Sequence, residues 1–195
     1  ARRNAIRKTW MNQNNSRGGR IKSLFLVGLA ALDGKLKKLV MEEARLYGDI
    51  IVVDLEDSYL NLTLKTLTIL LYVVSKCPNA KLIGKIDDDV FVNPDNLLSL
   101  LEREYIDPSP LSFYGYIIKN GEPVRTKKSK WYVPPTAYPC SNYPPYLSGP
   151  FYILSRDAAP LILKASKHRR FIKIEDVLIT GILALDLGIS RINLP

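Results

Sequence analysis

The sequence predicts an α/β fold, and three observations carry that prediction. Short apolar runs with β-rich composition alternate with longer stretches of helical periodicity. Cap and stop residues stand at the joints between them. The chain of 195 residues, 47% hydrophobic and 24% charged, has the ordinary globular mix and enough length for a full core. Strand, helix, strand, helix, strand is the order of a parallel sheet with helices on both faces.

The elements follow in order. Ile21 to Gly28 reads as a strand ended by glycine. Leu32 to Tyr47 places Leu32, Leu36, Leu39, Val40 and Ala44 at helical spacing, with Gly48 as a C-terminal stop. Asp49 to Asp54 is a short apolar run, as expected of a strand covered on both faces. Ser58 to Lys76 is a helix with Ser58 as N-cap, ended by Cys77-Pro78. Lys81 to Ile86 is a strand, and Asn93-Pro94 opens a helix to Glu104. Phe113 to Lys119 is a strand before an Asn120-Gly121 turn. Lys130 to Pro150 holds six Pro and four Tyr and reads as a long irregular loop of the kind that is usually functional. Phe151 to Leu154 is β-like, Asp157 caps a helix to His168, and Glu175 to Leu187 is a last helix stopped by Gly188.

Composition excludes several function classes. Two Cys rule out a disulfide-scaffold mini-protein and a Cys-rich zinc module, and a single His rules out a site built from several histidines. The longest apolar run, Ile69 to Val74, is far short of the roughly 20 residues that a bilayer requires. Arg2, Arg3, Arg7 and Lys8 are not followed by the apolar stretch of a signal peptide. The net charge of +9 points to an anionic partner or simply to a soluble basic surface. The basic runs Arg125 to Lys130 and Lys164 to Lys173 fit nucleic acid, an acidic membrane surface or a phosphate-bearing small molecule. Trp131-Tyr132 after the first run suits stacking on a base or a sugar, or loop packing. His168 reads as a surface residue within the second run.

Two acidic groups carry chemistry. Asp87-Asp88-Asp89 follows an apolar strand, and strand alternation would put Asp87 and Asp89 on one side and Asp88 on the other. Like charges so close favour a bound cation. Magnesium and manganese bind through one or two carboxylates plus substrate phosphates. An acidic turn is the plainer reading of such a triplet, but Val90-Phe91-Val92 wedges it between apolar residues. Glu175-Asp176 opens a helix, where the macrodipole favours negative charge, and offers either a cap or a general base.

Six segments then resemble the inverting glycosyltransferases of family 31, which include β-1,3-galactosyltransferases and β-1,3-N-acetylglucosaminyltransferases. They are Arg2 to Trp10, Gly48-Asp49-Ile-Ile, Asp57 to Lys65, Lys85 to Val92, Tyr143 to Tyr152 and Glu175-Asp-Val177, in family order along nearly the whole chain. The resemblance implies a GT-A fold: a Rossmann-like mixed sheet flanked by helices, with a small second sheet. It implies a nucleotide-sugar-binding half at 1–106 and an acceptor-binding half at 107–195. It implies UDP-galactose or UDP-N-acetylglucosamine as donor, Mn2+ or Mg2+ as cofactor, and an oligosaccharide acceptor on glycoprotein or glycolipid. Carried onto this chain, Asp176 is the catalytic base. Asp89 and Asp87 are the metal ligands, and Asp88 is a donor contact. Arg7, Asp57, Lys65 and Lys85 serve the uridine and diphosphate side, with Tyr146 and Gly149 near the sugar pocket. Many relatives carry a Cys just after the glycine matching Gly181, where this chain has Ile182 and Leu183, so Cys77 lacks that partner and Cys140 is the other cysteine available to it. Asn14-Asn-Ser16 and Asn61-Leu-Thr63 match the glycosylation pattern. The resemblance places the domain in the Golgi lumen, with the anchor of a type II membrane protein ahead of Ala1. The competing readings are a non-catalytic glycan-binding domain, expected to bind acceptor without turnover, and a nucleic-acid binder, expected to lose affinity steeply with salt. The six motifs favour the enzyme and no nucleic-acid partner.

Overall fold

A computed structural model describes residues 2–11 and 20–195. The described chain separates into two compact units, Ala1–Asn61 with Asp88–Arg103, and Leu62–Asp87 with Glu104–Pro195. Asn14 lies outside the described residues.

The first unit holds helix α1 (Arg2–Lys8), strand β1 (Phe25–Gly28), helix α2 (Gly34–Tyr47), strand β2 (Ile50–Val53), a 3-10 turn (Tyr59–Asn61) and helix α4 (Pro94–Glu102). β1 and β2 pair in parallel, Phe25 against Ile50 through Gly28 against Val53, with α2 as the crossover. Asp33, not Leu32, sets the start of α2: its side chain accepts from the Leu36 N–H. Gly48 closes the helix in the left-handed region at φ 64°, as expected of a C-terminal glycine. β2 is half-buried along its length, not covered on both faces. Asn93 caps α4 by accepting from Asp95 N and Asn96 N at 3.0 and 3.2 Å, with Pro94 in the first turn.

The second unit holds helix α3 (Leu62–Lys76), strands β3 (Leu82–Ile86), β4 (Ser112–Ile118) and β5 (Tyr146–Ser155), helix α5 (Ala158–Ser166), a π-helical segment (Val177–Leu183), a short turn α6 (Ala184–Asp186) and strand β6 (Ser190–Asn193). Its mixed sheet runs β3-β5-β4-β6; β3 and β4 are antiparallel to β5, and β6 is parallel to β4. The α/β class, with a mixed sheet flanked by helices and a small second sheet, is therefore what the chain adopts. The expected continuation of one parallel sheet from β2 into β3 is not. β3 instead takes the free edge of the long β5, from Leu82 opposite Ser155 to Ile86 opposite Phe151. Phe113 and Leu154 face one side of this sheet, onto Leu70, Ala158, Ile162, Ile179 and Leu183. Tyr114 and Ile153 face the other, where the Tyr114 hydroxyl donates to the Asp107 carbonyl.

Four further expectations change. Ser58 does not cap α3, because the 3-10 turn intervenes and the helix starts at Leu62. Asp157 makes no side-chain cap bond. β5 begins at Tyr146, inside the stretch expected to be loop. The last helix is π-helical over Val177–Leu183, a departure that helical periodicity does not encode. Cys77 and Cys140 are both free thiols.

Candidate active site

The site grows from an irregularity in β5. Pairing with β4 jumps from Gly115 opposite Tyr152 to Ile117 opposite Leu147, so Ser148, Gly149, Pro150 and Phe151 leave the β4 ladder as a bulge, while Phe151 stays paired with Ile86 of β3. Proline has no N–H to give a central strand, and a bulge is where a sheet accommodates it. The freed groups find other partners. The Pro150 carbonyl accepts from Asp87 N at 2.9 Å, and the Gly149 carbonyl accepts from Lys85 Nζ at 2.7 Å. The Gly149 N–H donates to Asp176 Oδ2 at 3.1 Å. A Cβ here would lie 3.0 Å from Asp176 Oδ2 and 3.3 Å from its carboxyl carbon, so any side chain at this position would press on the carboxylate.

Asp176 is held at both oxygens: Oδ1 accepts from Val177 N at 2.9 Å. Burial raises its pKa, and the two backbone donors pull the other way without cancelling that rise. Thr180 secures the same turn. Its hydroxyl donates to the Asp176 carbonyl at 2.6 Å and accepts from Leu147 N at 2.8 Å. Arg191 donates to the carbonyls of Thr180 and Gly181, both on the π-helical segment. Tyr146 packs edge-to-face on Tyr143 and lies against Gly181, where a Cβ would sit 3.0 Å from that of Tyr146. Burial and the charge of Asp176 raise the Tyr146 phenol.

Beside Asp176 lies a buried polar cluster whose members the sequence names singly but does not bring together. Lys85 is buried at 8% exposure; its ammonium donates to the Asp87 carboxylate and the Gly149 carbonyl and faces the Glu175 carboxylate as an ion pair at 3.8 Å. Glu175 is 5% exposed and accepts from the Tyr152 hydroxyl; Thr66 is hydrogen-bonded to the pair. Burial raises the Glu175 carboxyl to about 7 despite the opposing pull of Lys85. Tyr152 closes the Tyr143–Tyr152 segment of the sequence, but its link to Glu175 comes from its place opposite Lys85 in the β3–β5 register, which sequence alone does not reveal.

The structure thus brings together Lys85, Asp87, Gly149 and Asp176, with Tyr146 beside them. The other expected residues stand elsewhere. Lys65 is on α3 in the same unit. Arg7 donates to Asp49 at 2.7 and 2.8 Å and to Glu43 at 2.7 Å, and its guanidinium lies over the Tyr47 ring. Asp57 Oδ2 accepts from Gly28 N at 3.4 Å. The aspartate triplet leaves the sheet at Ile86 and turns at Asp88 and Asp89, so strand alternation does not govern it. Nor is it wedged among apolar residues, because Phe91 is 69% exposed. Asp88 pairs with Arg2 at 2.8 Å. Asp89 is exposed, and no hydrogen bond or ion pair engages it among the described residues. Asn61 donates to the Glu56 carbonyl, and the Thr63 of its glycosylation pattern is buried. His168 is exposed, as expected. Arg125 is committed to the carbonyls of Val133, Tyr138 and Cys140.

Among the described residues no three His, Cys, Asp or Glu side chains converge as a metal cage. A hard divalent ion that keeps its waters and shares substrate phosphates does not require one. An exposed carboxylate with no partner among the described residues, as at Asp89, fits that mode, whereas one Asp87 oxygen is taken by Lys85.

The chain resembles known proteins along its length. The chain is 50% identical over its whole length to β-1,3-galactosyltransferase bre-2 of Caenorhabditis elegans. It is 48% identical over 96% of its length to β-1,3-galactosyltransferase 1 of Mus musculus, and 40% identical over 99% to β-1,3-galactosyltransferase 2 of Homo sapiens. It spans 56%, 56% and 46% of those proteins, about half of each. The galactosyltransferase family matches residues 1–195, and with these identities the chain belongs to that family.

Proposed function

We propose that this chain is the catalytic portion of an inverting β-1,3-galactosyltransferase, a hexosyltransferase that moves galactose from UDP-galactose to a hydroxyl of a glycan acceptor. The observation that carries the proposal is the Asp176 carboxylate, aligned by two backbone N–H groups and made more basic by burial. Family membership, and relatives whose names specify β-1,3 galactosyl transfer, support galactose over N-acetylglucosamine as the donor sugar.

Asp176 takes the proton of the acceptor hydroxyl as its oxygen attacks the anomeric carbon. The new C–O bond forms while the bond from that carbon to the UDP oxygen breaks, and UDP departs as an anion. One displacement inverts the centre, so an α-linked donor gives a β-linkage. Asp89, with Asp87, would hold a manganese or magnesium ion, which supplies charge neutralisation at the diphosphate. Lys85 serves the donor side through Asp87, which it holds. Asp88, Arg7, Asp57 and Lys65 remain donor-side candidates, with Tyr146 and Gly149 beside the sugar. In this reading residues 1–106 serve the donor and 107–195 the acceptor. No described helix is long and apolar enough to cross a membrane, which suits a Golgi lumenal domain anchored elsewhere in a type II protein. The acceptor belongs to a glycoprotein or glycolipid.

The test is a donor screen with UDP-galactose, UDP-N-acetylglucosamine and UDP-N-acetylgalactosamine, with and without manganese. Turnover of UDP-galactose that requires the ion is expected. Asp176→Asn should lower kcat by about 10²–10⁴-fold, the usual worth of a general base. A folded protein that binds glycan but turns over none of the three donors would replace the enzyme with a binding domain.

A further inference from the structure

We propose that Glu175 and Lys85 form a buried positioning device for Asp176, acting through the backbone of Gly149 and touching neither donor nor acceptor. The inference rests on Asp176 as the base. Its starting point is that a lysine and a glutamate sit under the site with almost no exposure, where charged groups are rarely found without a reason. Such pairs are weak contributors to stability, and apolar residues of similar volume often replace them without loss. Here the geometry gives the pair a task. An ammonium has three donors, and Lys85 turns toward three acceptors from three segments: Asp87 beyond β3, Gly149 in the β5 bulge, and Glu175 ahead of the π-helical segment.

Gly149 is the relay. Its carbonyl is held by Lys85 at 2.7 Å while its N–H aims at Asp176 Oδ2 at 3.1 Å, so the Lys85 bond restrains one of the two peptide planes that meet at Gly149 and narrows the swing of the other. The bulge has no β-ladder partner on the β4 side to do this instead. Glu175 anchors Lys85 from beneath and is itself tied by the Tyr152 hydroxyl, with Thr66 alongside. Tyr152 stands opposite Lys85 in the sheet register, so the anchor is built into the β3–β5 pairing. Removing the Glu175 charge would leave the Lys85 ammonium to Asp87 and Gly149 alone, slacken its hold on the bulge and let the Asp176 carboxylate swing.

The experiment pairs steady-state turnover of UDP-galactose with amide hydrogen exchange in the whole protein at about pH 8, above the value near 7 to which burial raises the Glu175 carboxyl. Glu175→Gln keeps the shape and a hydrogen-bond acceptor but loses the charge. Its expected result is a kcat at least about tenfold lower, with the donor KM within about threefold. The Gly149 amide should exchange at least about tenfold faster while the β4–β5 ladder amides are unchanged. Glu175→Asp should recover part of both. If Glu175→Gln does not fold, Tyr152→Phe, which removes only the hydroxyl, should shift kcat and Gly149 exchange in the same direction. A folded Glu175→Gln or Tyr152→Phe with the parent kcat, or a loss of kcat without faster Gly149 exchange, overturns the proposal. Asp176→Asn separates the two ideas: full turnover there removes the base, whereas an inactive Asp176→Asn beside a fully active Glu175→Gln removes only the positioning device.

Discussion

Arg7 shows how much one side chain can organise. Its planar fork meets Asp49 through two nitrogens, reaches Glu43 with a third contact, and lies 3.9 Å from the centre of the Tyr47 ring. Glu43 sits between Arg7 and Arg3, and its hydrogen bonds to Arg3 and then Arg7 hold its carboxyl down at about 2, against the opposing effect of burial. A carboxyl depressed in the folded state stabilises above its unfolded value and loses that contribution as pH falls through its folded one. Stability from this cluster should therefore fade between about pH 4.5 and 2. Glu175 has the opposite sign. Its carboxyl is raised to about 7 by burial among Lys85, Tyr152, Thr66 and Asp176, so its contribution is full below about 4.5 and declines as pH rises to about 7. Thermal melts from pH 2 to 8 separate the two. Glu43→Gln should lose the acid limb, worth on the order of 1 kcal/mol for a partly screened pair, while Glu175→Gln should flatten the fall toward neutrality. A Glu43→Gln profile that overlays the parent would show that the arginines do not favour the charged form.

At the scale of elements, both sheets are shaped where a backbone passes too close for a side chain. At the end of β1, a Cβ on Gly28 would lie 2.2 Å from the Leu55 carbonyl oxygen, a backbone atom that cannot swing aside. Gly28→Ala should cost roughly 1–3 kcal/mol by overpacking. For a domain of this size that is a fall in Tm of roughly 3–10 °C, read by calorimetry. A melt within a degree of the parent would mean the β2 exit relaxes freely. The sequence marks Gly28 as the strand end but not why it must be glycine, because the crowding comes from a segment nearly thirty positions on. The same limit explains what else was legible. Gly48, Asn93-Pro94 and Gly188 act locally, and each does what its type predicts. The pairing of β3 with β5, the β5 bulge and the π-helical turn depend on partners far along the chain. Periodicity carries none of them. For the candidate site, the motif residues Lys85, Asp87, Gly149 and Asp176 could be named because short runs contain them. Tyr152 and Thr66 could not be linked to Glu175, since only the sheet register and the packing of α3 bring them to it.

At the scale of the whole molecule, the two units are built with different depth. The second is organised on one continuous core, in which Phe113, Leu147, Tyr152, Leu154, Ile162, Ile179 and Leu183 are fully buried. The first buries Ile6, Trp10, Val27 and Leu98, while α2 buries no residue and β2 none fully. It also carries partly exposed ion pairs such as Arg7 with Asp49 and Arg3 with Glu43. Buried apolar area is the dominant stabilising term in folding, and partly exposed ion pairs add little by comparison. The units should therefore not open with one free energy. Native-state hydrogen exchange should find the β1–β2 ladder amides, such as Leu29 N bonded to the Val53 carbonyl, opening through local fluctuations. The β4–β5 amides should exchange only on global unfolding. Moderate salt should widen the gap, since it screens the pairs of the first unit and leaves apolar burial in the second untouched. Equal protection in both ladders, unmoved by salt, would mean that the two units unfold as one and that the ion pairs of the first match the core of the second.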